Sequence, residues 1–224
     1  MVRIASFNIE HFDRQPEDKT KSVVIEASGR ANWIGWVELA TEHVDAKAIH
    51  MTAKVIDEVA ADIIGVIEAE HRPSLVRFNR DILQQPYEHV MLVDGNDARG
   101  IDVGVMTKAG FRIETIVSNV DFKDASGIVF SRDCPQYEIT TPNGNTVHVL
   151  LNHFKSQSGG GGDKRLRQAE AVRAFADSLF ADGHHVIVMG DLNEGPKAGK
   201  TYAENLTPLY ANSSPLVDAY SLTA

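Results

Sequence analysis

The sequence has one cysteine, Cys134, in 224 residues, which excludes an intrachain disulfide. Its neighbours Asp133 and Pro135 offer no activating cation, so the thiol reads as structural. No apolar run approaches the roughly 18 to 20 residues of a membrane span. The first residues suit a strand and form no basic-then-apolar leader, so a cytoplasmic protein with no membrane partner is expected. No Pro/Ser-rich linker divides the chain, and one domain over residues 1–224 is expected. Positive charge is also scarce: 22 lysines and arginines together stand against 31 aspartates and glutamates, a net charge of −9. That argues against a protein that coats nucleic acid through bulk electrostatics. It leaves room for an enzyme that grips phosphates in one cleft, where a divalent cation and a few arginines reverse the local field. Hydrophobic residues are plentiful at 43%, enough for a substantial core.

The stretch Val186-Ile187-Val188-Met189-Gly190-Asp191-Leu192-Asn193 organises the rest. Four residues of high strand propensity run into a glycine and then present Asp191 and Asn193 on one face where the strand ends. α/β proteins place chemistry at such strand ends. A carboxylate beside an amide suits a site that holds a hard cation, orients a water and contacts a phosphoryl oxygen. Taken alone, the same residues also describe a buried strand followed by an Asx turn.

Other strands deliver similar groups. Ile4 to Ile9 reads as a strand ending near Asn8 and Glu10, followed by a polar loop, Asp13 to Lys21. Trp33 and Trp36 sit among aliphatics and read as core. Ala46 to Val59 has apolar residues at Ile49, Ala53, Ile56 and Val59, the spacing of a core-packing helix. Ile63 to Ile67 is continuously apolar, as in a strand buried on both faces, and leads to Glu68 and Glu70. A second helix starts at Pro73 and continues through Leu83. Strands follow at His89–Val93, Asp102–Thr107, Phe111–Val117, Tyr137–Thr141 and Thr146–Asn152, the last two joined by an Asn143-Gly144 hairpin. Beyond Asn152-His153-Phe154-Lys155-Ser156, the glycines 159 to 162 suggest a mobile functional loop before a helix from Asp163 to Phe180. That helix carries Lys164, Arg165 and Arg167 near its start, against the preference of the helix dipole, which hints at an anionic ligand.

Five motifs, in this order, make the chain resemble the endonuclease/exonuclease/phosphatase superfamily over nearly its whole length. They are Ser6-Phe7-Asn8-Ile9-Glu10, Asp62-Ile63-Ile64-Gly65-Val66-Ile67-Glu68, Gly100-Ile101-Asp102-Val103-Gly104-Val105, Asn152-His153-Phe154-Lys155-Ser156 and Gly190-Asp191-Leu192-Asn193. The resemblance implies a four-layer α/β sandwich, two mainly antiparallel sheets packed face to face with helices outside. It implies that Asn8 and Glu68 hold Mg²⁺ or Mn²⁺, that His153 contacts the scissile phosphate, and that Asp191 with Asn193 orients the attacking water. Arg132 takes the place of a phosphate-binding arginine. Asn152, Lys155, Arg165 and Arg167 are expected to bind substrate, Lys155 and the Arg-rich helix resembling the nuclease-like bacterial branch.

The family pattern continues into a Ser-Asp-His triplet, whereas this chain ends at Ala224 and none of its nine histidines lies beyond His185. The expectation is therefore that the C-terminal strands and the Ser-Asp-His segment are missing, leaving an unpaired sheet edge. The leading functional expectation is a Mg²⁺-dependent phosphodiesterase, an endonuclease or exonuclease acting on DNA or RNA. The alternatives are a phosphatase or lipid phosphodiesterase of the same fold, or a degenerate module that binds phosphate without cleaving it.

Overall fold

The computed structural model describes residues 1–9, 46–97, 99–195 and 204–222. Glu10, the Asp13 to Lys21 stretch, Trp33 and Trp36 lie outside the described residues. The elements are β1 (Ile4–Asn8), α1 (Ala46–Val59), β2 (Ile63–Ala69), α2 (Arg72–Arg77), β3 (His89–Val93), β4 (Asp102–Thr107) and β5 (Arg112–Val117). A two-residue ladder, β6 (Lys123–Asp124) with β7 (Gly127–Ile128), precedes β8 (Gln136–Thr140), β9 (Thr146–His153), α3 (Gly162–Ala181), β10 (His185–Asp191) and α4 (Thr207–Tyr210).

Two four-stranded sheets result, ordered β1-β2-β4-β3 and β10-β9-β8-β5. Each has one parallel pair at its end, β1 with β2 and β10 with β9, and antiparallel pairs elsewhere. The period of two along β2 explains why its run is apolar throughout. Ile63 and Ile67 face the other sheet, packing with Val103, Val105, Tyr137, Ile139, Val149 and Leu151. Ile64 and Val66 face outward, onto Ala53 and Ile56 of α1 and onto Leu75 and Phe78. On the far side Leu150 and Phe154 meet Ala169, Val172 and Ala176 of α3. The order is helix, sheet, sheet, helix, the four-layer α/β sandwich expected. Among the described residues no helix is long and apolar enough to cross a membrane.

Local chemistry accounts for some element ends. His71 caps α2 by accepting the Ser74 N–H at Nδ1 (3.1 Å), and Pro73 occupies the first turn. The expected continuation to Leu83 is a π-helical turn, Phe78–Ile82. The β8–β9 hairpin closes with Gly144 at φ 80. The ladder β6–β7 was not expected, being too short to show a period. β1 and β10 each lie at one end of their sheet, and Val186 to Asp191 are half-buried where β9 is mostly buried.

Among the described glycines, the closest backbone approach is at Gly190. Its φ is 127, and an added β-carbon would overlap the Asn152 carbonyl oxygen and stand 2.8 Å from the Asn152 nitrogen. Both neighbours are backbone, so no side chain can move aside. Gly190→Ala should therefore lower unfolding free energy by about 3 kcal/mol or more. Urea denaturation checks this, and a loss under about 1 kcal/mol would show that β9 and β10 yield more easily than their spacing suggests.

Candidate active site

Four strand ends converge where the sheets meet. β1 ends at Asn8, whose register partner is Ile67, the residue before Glu68. β9 and β10 end together, Asp191 lying opposite His153. The ladder between β2 and β4 shifts between Ile67 and Ala69, and the extra residue at this bulge is Glu68 at φ 65. A bulge re-aims a side chain that regular pleating would place elsewhere, and a non-glycine residue with positive φ costs about 1 kcal/mol or more. The side chains then touch across the seam. Asn8 Nδ2 donates to Asp191 Oδ2 (3.3 Å), and His153 Nε2 lies 3.5 Å from Glu68 Oε1. One ligand atom each from Glu68, His153 and Asp191 lies within 4.8 Å of the others, a possible metal-holding group.

Asp191 is braced from its own strand end. Its Oδ1 accepts the Asn193 N–H (2.8 Å), and Asn193 turns at φ 53. The Asn193 side chain donates to the Phe154 carbonyl (3.0 Å), and Gln157 donates to the Asn193 carbonyl (2.9 Å). His153 is 3% exposed. Burial, and next the charge of Arg132, push its pKa down to about 4, against the opposing pull of Asp191, so the imidazole is neutral near pH 7. Among the described residues its Nδ1 has no hydrogen-bond partner. Arg132 is also buried, with Nε 3.1 Å from Asp97 and Nη1 3.5 Å from the Phe154 carbonyl. Burial lowers its pKa, while the carboxylates of Asp97, Glu68 and Asp191 oppose that.

The remaining sequence candidates lie elsewhere. Asn152 is wholly buried opposite Gly190 and donates to the Leu150 carbonyl (2.9 Å). The Lys155 ammonium donates into its own loop, to the Ser158 carbonyl (3.1 Å), and its backbone N–H is held by Gln168 Oε1 (2.9 Å). Arg165 pairs with Glu194 (2.6 Å) and donates to the carbonyls of Lys155 and Ser156. Arg167 forks onto Asp124 (2.6 and 2.5 Å), in the β6–β7 ladder. Lys164 donates to the Ile128 carbonyl (2.7 Å). The basic start of α3 thus meets carbonyls and carboxylates of the chain itself. Asp97 and Arg99 went unremarked in the sequence. Arg99 forks onto Asp97 (3.0 and 2.8 Å), and this bond first of all holds the Asp97 carboxyl down to about 2. Their only signal was two charges just before the Gly100-Ile101-Asp102 motif.

Two apposed sheets with acids, an amide and an imidazole at their joined ends define a DNase I-like fold. The chain belongs to the Endonuclease/Exonuclease/phosphatase family, whose model matches residues 3–214. No curated protein sequence matches it. Among solved structures, the human Nocturnin catalytic domain with bound sulfate is 14% identical, covering 100% of this chain and 73% of that one at a TM-score of 0.67. A Bacteroides thetaiotaomicron mannosyl-6-phosphatase is 13% identical over 93% of this chain and 69% of its own, TM-score 0.55. Truncated Caenorhabditis elegans TDP2 is 20% identical over 65% of this chain, TM-score 0.52. The match spans about half of that truncated chain, 54%, and 44% of a longer one. These likenesses establish the fold.

The buried imidazole predicts a pH dependence. In the unfolded chain His153 protonates near pH 6.5, in the folded chain only near pH 4. Its contribution is full above pH 6.5 and is lost as pH falls from about 6.5 to about 4. Asp102 acts in the opposite sense: burial first of all raises its carboxyl from 3.8 to about 6, so stability is gained as pH falls across that range. Comparing wild type with His153→Asn separates the two. Urea unfolding in EDTA at about pH 7.5 and about pH 5 should show the variant gaining on wild type at the lower pH. A difference that does not change with pH contradicts a buried neutral imidazole.

Proposed function

We propose that the chain is a divalent-metal-dependent phosphodiester hydrolase with nucleic acid as its substrate. The observation that carries this reading is the approach of Glu68, His153 and Asp191 to within 4.8 Å, with the Arg132 guanidinium beside them. The donors suit a hard cation. The Glu68 and Asp191 carboxylates are the oxygen donors, their spacing matching an ion with contacts of about 2.0 to 2.6 Å, and the neutral His153 imidazole beside them is left for the substrate. The strain at Glu68, and a His153 Nδ1 that meets no partner among the described residues, both fit a site shaped for a bound group.

Glu68 and Asp191 would hold the cation, with Asn8 steadying Asp191 through its amide. Mg²⁺ or Mn²⁺, when bound, would supply positive charge against the phosphoryl and leaving oxygens. His153, neutral and buried, donates an N–H to a phosphoryl oxygen. Arg132 adds a fixed positive charge to the same group. Asp191 is the proton acceptor for the attacking water, and the Asn193 N–H fixes one of its oxygens. Asn193 acts through its backbone, because its side chain is engaged by Phe154.

A second reading, hydrolysis of a small phosphoester, draws on the placement of Arg165 and Arg167. The sequence reading expects both to bind an anionic substrate, and both are held in ion pairs.

Asp191→Asn keeps the shape of the side chain but cannot accept a proton. It should leave the circular dichroism spectrum intact and lower bis(p-nitrophenyl) phosphate hydrolysis by ~10² to 10⁴. Glu68→Gln should weaken Mn²⁺ binding in calorimetry by about tenfold or more, since it removes one charge from a hard-cation site. Full turnover by Asp191→Asn, or unchanged Mn²⁺ affinity in Glu68→Gln, would sink these roles.

A further inference from the structure

His153 and Asp191 each stand at the end of a strand, just before a loop: residues 154–161 follow β9 and residues 192–194 follow β10. Arg165, in the first turn of α3, ties the two loops together. Its Nε donates to Glu194 Oε2 (2.6 Å), and its Nη1 donates to the carbonyls of Lys155 and Ser156 (both 3.1 Å) and of Gly160 (3.4 Å). A forked planar guanidinium reaches both loops at once, which a single ammonium does not. Glu194 has a second anchor, because Asn205 Nδ2 donates to both of its oxygens (2.9 and 2.8 Å). The side chains of Arg165 and Glu194 are 8% and 6% exposed. A buried ion pair adds little net stability, since desolvation offsets its attraction, and what it fixes is geometry.

Short bonds carry that geometry to the reacting groups. Asn193, next to Glu194, donates its N–H to Asp191 Oδ1 (2.8 Å), and its carbonyl accepts from Gln157 of the other loop (2.9 Å). Phe154, next to His153, donates its N–H to the Asp191 carbonyl (2.9 Å). Gln168, one turn along α3 from Arg165, accepts the Lys155 N–H (2.9 Å). Gly161 packs on the same loop at φ 89, where a β-carbon would stand 2.8 Å from Lys155 Cγ.

We propose that Arg165 and Glu194 form a clasp that holds Asp191 and His153 in register with each other, so that both are positioning residues and neither meets the substrate. The inference rests on the reading of the site as a phosphodiester hydrolase. Without the clasp the loops after β9 and β10 part, and the Asn193 N–H no longer fixes Asp191 Oδ1. A displacement of about 1 Å at a reacting group costs up to ~10² in rate.

The test compares wild type with Glu194→Ala, Glu194→Gln and Arg165→Lys, and with Ile56→Ala, which removes buried packing in the opposite helix layer. Hydrolysis of bis(p-nitrophenyl) phosphate is followed well below every unfolding temperature. In Glu194→Ala and Arg165→Lys kcat should fall about tenfold or more, with KM within about twofold of wild type. Glu194→Gln, which keeps one acceptor oxygen for Arg165, should lose less. Ile56→Ala should unfold at a lower temperature and keep its kcat, because lost packing there does not turn Asp191. An unchanged kcat in Glu194→Ala and Arg165→Lys overturns the proposal, as does a loss carried by KM or an equal loss in Ile56→Ala. Amide hydrogen exchange read by NMR follows the clasp without any hydrolysis. The Asn193 N–H should exchange about tenfold or more faster in Glu194→Ala and Arg165→Lys, relative to the Leu151 N–H, which is held in the sheet by the Pro135 carbonyl. Arg165→Lys and Glu194→Gln carry both readouts should Glu194→Ala not fold. Unchanged relative exchange overturns the proposal. No hydrolysis by wild type, with quickened exchange in the variants, overturns the enzymatic reading and leaves the clasp on Asp191 standing.

Discussion

Two carboxylates, Glu68 and Asp191, come together across the seam between the sheets, and much of the sandwich serves to keep them there. Like charges a few ångströms apart repel, so the arrangement persists only because the backbone dictates it. Asp191 is placed by the β9–β10 register and by the close passage of Gly190 over Asn152. Glu68 is placed by a bulge that forces a left-handed conformation. Gly65, three residues earlier, lets Leu151 pack against β2: a β-carbon there would stand 2.5 Å from Leu151 Cδ1. Core packing and site geometry thus share the same two strands.

The site is layered by exposure. Buried His153 and Arg132 form its floor, and the half-buried acids stand above them. The floor is neutral at the imidazole and positive at the guanidinium, which suits a group that gathers negative charge. The acidic total of the chain, −9, does not oppose this, because the field inside a cleft follows the charges that line it.

Strands with a strong pattern were legible. The apolar run of β2, the Asn143-Gly144 turn and the Val186 to Met189 run each carry a signal set by neighbours in the chain, and the structure forms these elements. His153, Glu68 and Asp191 were legible as strand-end groups. Hidden were the partners that distant parts of the chain supply. Nothing near Arg165 or Arg167 announces Glu194 or Asp124, 29 and 43 residues away, so their basic helix face read as available to an anion. Asn152 sits next to His153 in sequence, yet alternation along β9 turns it to the opposite face, the side on which Leu150 and Phe154 meet α3. Glutamate has no preference for positive φ, so the bulge at Glu68 left no mark. Asp97 and Arg99 lie in a loop without periodicity, where a pair of charges usually means solvent.

The central claim is that the seam is built around a divalent cation. Thermal unfolding of the wild-type chain in EDTA and in graded Mn²⁺ tests it most directly, because binding to the folded state alone raises stability by mass action. The account predicts a saturable rise of ~5 °C or more, absent when Asp191 is replaced by asparagine. A transition indifferent to Mn²⁺ up to about 10 mM, or an equal rise in the variant, would contradict it.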